Sequence, residues 1–358
     1  MKLYHLSDLH LGVDPPAVGR AHHQRTTMEK LREVIDRARG EGMRFVVLAG
    51  DIFDSNALPS SLALEFLELL SEAKDVNFIL LPGGGNAHSE EVSGHDAYTE
   101  NSIYRRLEVK SHFDRNDHLH LLTPEAPAAV FEEEGVAFYG GFFDYPRAEL
   151  AEGVSHHVAV MHGAFGERRE FKEKSLKDER AEAYDYLALG HYHRFKKVSD
   201  RAAYSGAFIQ FEFLPYREGT SGYVEVDLST SPHPQIIYRA FEDAPRFLCF
   251  KVLSGEDLEK LEAALGFEHC HVKVTGYLED FRADLEQIKA RCPDRVRVDD
   301  AAEIRREALV FAEALERILE QTVPEELREE VREVLLYGLQ VSSSRSDFER
   351  FLRDKYGL

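Results

Sequence analysis

Five short polar motifs stand where apolar, β-rich runs of this chain stop, and their placement constrains the fold more than any other feature. They are Asp8-Leu9-His10, Gly50-Asp51, a glycine-rich loop holding Asn86, His162-Gly163, and Gly190-His191-Tyr192-His193. Side chains collect beyond the C-terminal strand ends of open α/β sheets, so ligands delivered this way predict an α/β sheet fold. A single Gly-Asp or His-x-His is ordinary turn or surface chemistry. Five in order, each after a strand-like run, form one constellation.

The runs between them alternate with amphipathic stretches, as in a layered α/β sheet. Strands are expected at 2–6, 45–48, 77–81, 118–122, 136–139, 158–161, 187–189, 202–204, 222–227 and 235–238, and helices at 25–39 and from Ser60 or Ser61 to 72. The strand-rich second half points to two sheets packed face to face with helices outside. A composition shift near Phe241 to Pro245 precedes a compact βαβαβ unit, and from Glu303 onward the pattern is helical, with a break at Pro324. The expected division is residues 1–243, a small α/β domain at 244–300 and a helical segment at 301–358.

Hydrophobic residues make up 43% of the 358 and charged residues 30%. No apolar run approaches the roughly 20 residues needed to span a membrane. Met1 leads directly into Leu3-Tyr4-His5-Leu6 with no room for a signal peptide, so a cytoplasmic location is expected. Cys249, Cys270 and Cys292 are widely spaced and fit reduced packing residues better than zinc ligands or disulfides. The net charge of −21 opposes a surface that grips nucleic acid by general Lys/Arg contact. Two divalent cations would add about four positive charges at the site itself, so acidity weakens a nucleic-acid substrate without excluding it.

Asp8 and His10, two apart after a strand, supply half of a metal site. Asp51 has two carboxylate oxygens and can bridge two cations about 3.5 to 4 Å apart. Asn86, His162 and His191 offer an amide oxygen and ring nitrogens to the second cation, and His193 returns to the first. Mixed N/O ligation without thiolate suits manganese, with iron or zinc as alternatives, and disfavours calcium.

These residues resemble the calcineurin-like metallophosphoesterase superfamily, with its pattern Asp-x-His, Gly-Asp, Gly-Asn-His-Asp, His and Gly-His-x-His. The longer strings His5-Leu6-Ser7-Asp8-Leu9-His10-Leu11-Gly12, Gly50-Asp51-Ile52-Phe53-Asp54 and Tyr204-Ser205-Gly206, leading to Phe211-Glu212, are similar to the SbcD-type branch of DNA double-strand-break-repair exonucleases. That resemblance implies a four-layered αββα sandwich with a small DNA-capping domain, and phosphodiester hydrolysis by water activated between two metals. It also implies DNA as substrate and terminal helices that dock on an SbcC-type coiled-coil ATPase; a homodimer is expected. For the tail, ordinary packing is the alternative to docking. Two further functions fit the residues: a phosphoesterase for small or non-nucleic substrates, and a poorly catalytic scaffold that holds DNA or an ATPase.

The third motif departs from the pattern. Pro82-Gly83-Gly84-Gly85-Asn86-Ala87-His88 places alanine after Asn86, where the family's leaving-group acid would stand. His88 follows one residue later. His95-Asp96, leading to Ile103-Tyr104-Arg105-Arg106, looks more like what continues the family motif, which implies an insertion between Asn86 and His95. Three arrangements remain: His95 as acid with Asp96 as its partner, His88 as acid, or no acid. His22 and His23 fall in an expected loop after the first motif, where they are either solvated or touch substrate.

Overall fold

A computed structural model describes residues 1–15, 17–83, 95–142, 144–165, 179–215, 220–267, 269–276 and 281–300. Asn86, His88 and the helical segment 301–358 lie outside these residues. In chain order the elements are β1 (Lys2–Leu6), α1 (Arg20–Gly40), β2 (Phe45–Ala49), α2 (Ser60–Ser71) and β3 (Asn77–Leu81). A 3-10 turn at Ile103–Arg105 leads to α3 (Leu107–Asp114), β4 (Leu119–Leu121), β5 (Ala128–Phe131), β6 (Val136–Phe142) and β7 (His156–His162). Then come α4 (Glu179–Glu182), β8 (Tyr186–Gly190), β9 (Lys196–Ser199), β10 (Ala202–Tyr204), β11 (Leu214–Pro215), β12 (Gly222–Asp227) and β13 (Gln235–Ala240). The last elements are β14 (Arg246–Lys251), α5 (Gly255–Leu265), β15 (Cys270–Gly276), α6 (Arg282–Arg291) and β16 (Val296–Asp300).

Two six-stranded sheets, in orders β13-β12-β1-β2-β3-β4 and β5-β6-β7-β8-β10-β9, pack face to face. The sequence shows why both faces must be covered, because β2 reads Phe45-Val46-Val47-Leu48-Ala49 with every residue buried. A strand apolar on both sides needs a layer on each. Phe45, Val47 and Ala49 join Val136, Phe138, Val158 and Val160 in the core between the sheets. Val46 and Leu48 face the other way, against Leu31, Val34 and Ile35 of α1 and Phe66 and Leu70 of α2. On the far side of the second sheet, Tyr139, Met161 and Leu189 pack with Ala181 and Tyr184. The result is a mixed α/β sandwich of two sheets.

A third sheet, β11-β14-β15-β16, has its own core with α5 and α6, built from Phe250, Val272, Val274, Leu261, Leu285 and Ile288. Its β14, β15 and β16 are parallel, which requires the two crossover helices. The edge strand β11 is contributed from well upstream of β14.

Several local expectations are corrected. Helix α1 begins at Arg20, which brings His22 and His23 into its first turns, and His23 is buried rather than in a solvated loop. Neither Ser60 nor Ser61 caps α2: Pro59 occupies the cap with no side-chain hydrogen bond, and Ser60 Oγ instead accepts from Arg106 Nη1 at 3.2 Å.

Candidate metal centre

Strands β1, β2 and β3 run parallel, as do β7 and β8, so their C-terminal ends meet at one edge of the sandwich. Beyond β1 and β2 the backbone ladder continues into the loops, with Asp8 N donating to Gly50 O at 3.0 Å and His10 N to Asp51 O at 3.0 Å. The first two motifs are thereby laced together before any side chain is considered. The second sheet closes from the other side. A Cβ on Gly190 would lie 1.9 Å from Ala49 O, and one on Gly50 2.2 Å from His162 Nδ1, so only glycine permits this approach.

The backbone at this edge is strained. Among the described residues, the non-glycine residues with left-handed φ are Asp8 (52°), His10 (44°), Asp51 (48°), His95 (30°) and His191 (110°). Each costs of order 1–3 kcal/mol, and such strain persists where surrounding structure imposes it, as at binding sites. All five are candidate site residues.

Asp51 is central. Its Oδ2 lies 3.2 Å from His162 Nε2 and 3.7 Å from His10 Nε2. Asp8 Oδ1 lies 3.9 Å from His193 Nε2. The second ring nitrogen of each histidine is held by an oxygen: His162 Nδ1 by Ala49 O at 2.8 Å, His10 Nδ1 by Asp54 Oδ1 at 3.1 Å, and His193 Nδ1 by Glu212 Oε1 at 2.6 Å. Oxygen partners on Nδ1 orient an imidazole so that Nε2 is presented as a metal ligand. In keeping with this, Nε2 of His10 and of His162 are buried without a hydrogen-bond partner. Buried polar atoms are nearly always satisfied, so these two nitrogens have the character of metal ligands.

Three overlapping groups bring ligand atoms within 4.8 Å of one another: Asp8, His10 and His193; Asp8, Asp51 and His162; and His10, Asp54 and His95. Electrostatics follow the geometry. Burial pushes the Asp51 carboxyl up, but the neighbouring His162 and His10 outweigh it and hold Asp51 well below the usual carboxylate range. Burial alone would lower His162, and the Asp51 charge beside it raises it instead. The His191 ring is lowered to about 4 by burial and by His162, which keeps it neutral as a ligand must be. His191 N donates to both carboxylate oxygens of Asp8 at 3.0 and 3.1 Å, and its ring centroid is 5.6 Å from that of His162. It stands beside the clusters without completing one of the three.

His95 reaches this site. Its Nε2 is 3.7 Å from Asp51 Oδ2, its ring centroid 4.6 Å from that of His10, and its side chain is partly open to solvent. Asp96 is fully buried and turned elsewhere. Its carboxylate accepts from Ile52 N at 3.1 Å, Phe53 N at 3.2 Å, Gly83 N at 2.7 Å and Tyr104 Oη at 2.5 Å, tying the loops after β2 and β3 together. The oxygen on His95 Nδ1 is the Asp54 carbonyl, at 3.0 Å.

Sequence reasoning passed over five contributors. Asp54 holds His10 and stands beside His95; its signal is the second carboxylate of Gly50-Asp51-Ile52-Phe53-Asp54. Glu212 orients His193, and the Phe211 ring packs at 4.5 Å from His10 and 4.8 Å from His193 between ring centroids. Ser7 Oγ donates to Asp8 Oδ2 and contacts Ser205 Oγ at 2.6 Å, so the serine of Tyr204-Ser205-Gly206 helps fix the first ligand.

Comparison with known proteins agrees with this geometry. A family model described as calcineurin-like phosphoesterase matches residues 1–195. The DNA double-strand break repair protein Mre11 of Methanopyrus kandleri is 25% identical over 242 residues, 61% of this chain and 51% of that protein. The chain thus spans about half the length of that relative.

Proposed function

The chain belongs to the calcineurin-like phosphoesterase family, and on that premise we propose that it is a two-metal phosphodiesterase that cuts DNA, a nuclease of double-strand break repair. The observation that carries the reading is the Asp51 carboxylate set between two buried, hydrogen-bond-orphaned histidine nitrogens, those of His10 and His162. Asp8, His10, Asp51 and His193 would hold one ion. Asp51, His162 and His191 would hold the other, with Asn86 as a further donor. Manganese is the ion proposed, and bound there it would polarise a phosphate oxygen and lower the pKa of water.

The chain's own groups do the rest. Asp54, Ala49 O and Glu212 keep three imidazoles in the orientation that presents Nε2. Phe211 walls the His10 and His193 rings with apolar surface, which excludes water and strengthens local electrostatics. His95, at the partly open side of Asp51, is proposed as the acid that gives a proton to the leaving oxygen. The Mre11 relative supports DNA as substrate. The proposal extends to a homodimer and to an SbcC-type ATPase partner at 301–358.

A second reading, hydrolysis of small phosphodiesters, is favoured by the net charge of −21. One experiment separates them. Purified protein with manganese should degrade end-labelled duplex DNA, and Asp51→Ala or His193→Ala should abolish it. Turnover of a small aryl phosphodiester with no cleavage of any DNA would overturn the nuclease reading in favour of the second.

A further inference from the structure

Residues 210–215 run from the metal centre directly into the third sheet. Gln210, almost fully buried, is hydrogen-bonded at both ends of its amide: Nε2 donates to Phe247 O at 2.7 Å and to Glu212 O at 3.0 Å, and Oε1 accepts from Phe247 N at 3.3 Å. Phe247 is in β14, so a side chain from the sandwich replaces a neighbouring strand for the start of that strand. Phe211 packs on His10 and His193, and Glu212 holds His193 Nδ1. Phe213 then turns to the third sheet, edge-on to Phe247 with ring centroids 5.6 Å apart. Leu214 and Pro215 finish the path as β11, in register with Leu248 and Cys249.

The two ends of the Glu212–His193 hydrogen bond therefore belong to different bodies. His193 hangs from β8 in the second sheet of the sandwich, and Glu212 hangs from a segment built into the third sheet. We propose that residues 210–215 are a tether through which the third sheet sets how tightly the Asp8–His10–His193 site binds its metal. Glu212 is the positioning residue for His193, and Gln210 is the group that keeps Glu212 in place. A shift of the third sheet drags Glu212 Oε1 away from Nδ1 and frees the His193 ring to turn. Loss of such an outer hydrogen bond typically weakens metal affinity about 10- to 100-fold. Because Phe211 moves with the same segment, the apolar wall over His10 opens together with the ligand.

The inference rests on the metal-binding reading above, and calorimetric titration of the full, metal-stripped chain with manganese alone tests both. The wild-type chain should show two binding events. Glu212→Ala should weaken one of them about 10- to 100-fold and leave the other unchanged. Glu212→Gln, whose amide oxygen still accepts from Nδ1, should restore most of the loss, a rescue that a purely structural role would not produce. Gln210→Ala should weaken the same event by a smaller factor, and because it leaves the Phe247 N–H and C=O unpaired it should also lower the apo melting temperature. Wild-type affinity at both sites in Glu212→Ala overturns the proposal, and so does equal weakening of both sites with a lowered melting temperature. Wild-type affinity in Gln210→Ala overturns the tether. If the wild-type chain binds no manganese, the metal reading itself falls and the tether with it.

Discussion

The Nδ1 atom of His95 lies 3.0 Å from the main-chain carbonyl oxygen of Asp54. A carbonyl only accepts, so Nδ1 carries the hydrogen and Nε2 is the atom turned toward Asp51, 3.7 Å from its Oδ2. On the proposed function, Nε2 is then the nitrogen that would meet the substrate. A positioned acid contributes roughly 10²- to 10⁴-fold to a rate. His95→Asn is therefore expected to lower kcat by that range on a DNA substrate while leaving manganese affinity intact. On an aryl phosphodiester, whose leaving group needs no proton, the loss should be far smaller. Equal losses on both substrates would remove His95 from the acid's role.

Asp96 is predicted to act on stability more than on chemistry. Its carboxylate serves four donors at once, three of them backbone amides of the loops after β2 and β3. Each buried donor left unpaired costs about 1–3 kcal/mol. Asp96→Ala should thus lower stability by at least about 3 kcal/mol, read from denaturant unfolding. The rate per metal-loaded, folded molecule should fall less than in His95→Asn. A variant with wild-type stability and the full rate loss would show that Asp96 works through His95 after all.

Gly50 joins the two sheets at the site. Its φ is +88°, and a Cβ there would meet three atoms of the His162 side chain within 2.8 Å. Gly50→Ala must pay the left-handed strain, of order 1–3 kcal/mol, and push His162 away from Asp51. The expected result is a lower melting temperature together with loss of metal binding. Gly153→Ala serves as the control, because it shares a positive φ of +83° but has nothing within 4 Å. A Gly50→Ala protein that binds manganese normally would contradict the packing argument.

How much of this was legible in the sequence depends on how each feature is encoded. Strands β1, β3, β10 and β12 have the expected limits, because each is mostly buried and its apolar and aromatic residues stop where the chain turns. Helix α3 was missed because only Val109 of its eight residues is buried, leaving no apolar stripe to read. The edge strand β9 alternates half-buried and exposed residues of Lys196-Lys197-Val198-Ser199, and β11 is two residues long; neither carries a periodic signal. At the site, Asp8, His10, Asp51 and His162 were readable since each follows a strand end in order, and the structure brings them together. Asp54 carries a signal, the second carboxylate of the Gly50-Asp51-Ile52-Phe53-Asp54 motif, whereas Phe211 and Glu212 were not readable as site residues. Their roles come from loops laid against one another across the sandwich, a relation with no fixed spacing along the chain.

His5 gives the last prediction, on pH. It is fully buried on β1, with Nδ1 2.8 Å from the hydroxyl of Tyr186 on β8, so the pair links the two sheets. Burial lowers its pKa from 6.5 to about 3. The unfolded chain takes up a proton at His5 as pH falls through about 6.5, while the folded chain stays neutral there. The unfolded state then binds more protons, and stability drops with falling pH, by about 1.4 kcal/mol per pH unit for one such group. That loss should begin below about pH 6.5 and run toward the folded pKa near 3. His5→Gln keeps an oxygen that can accept from Tyr186 but cannot titrate. Its unfolding free energy, measured by denaturant titration from pH 7 downward, should fall less steeply than the wild type by about one proton's worth of slope. Parallel slopes in the two proteins would show that His5 is protonated in the fold or already shielded in the unfolded chain.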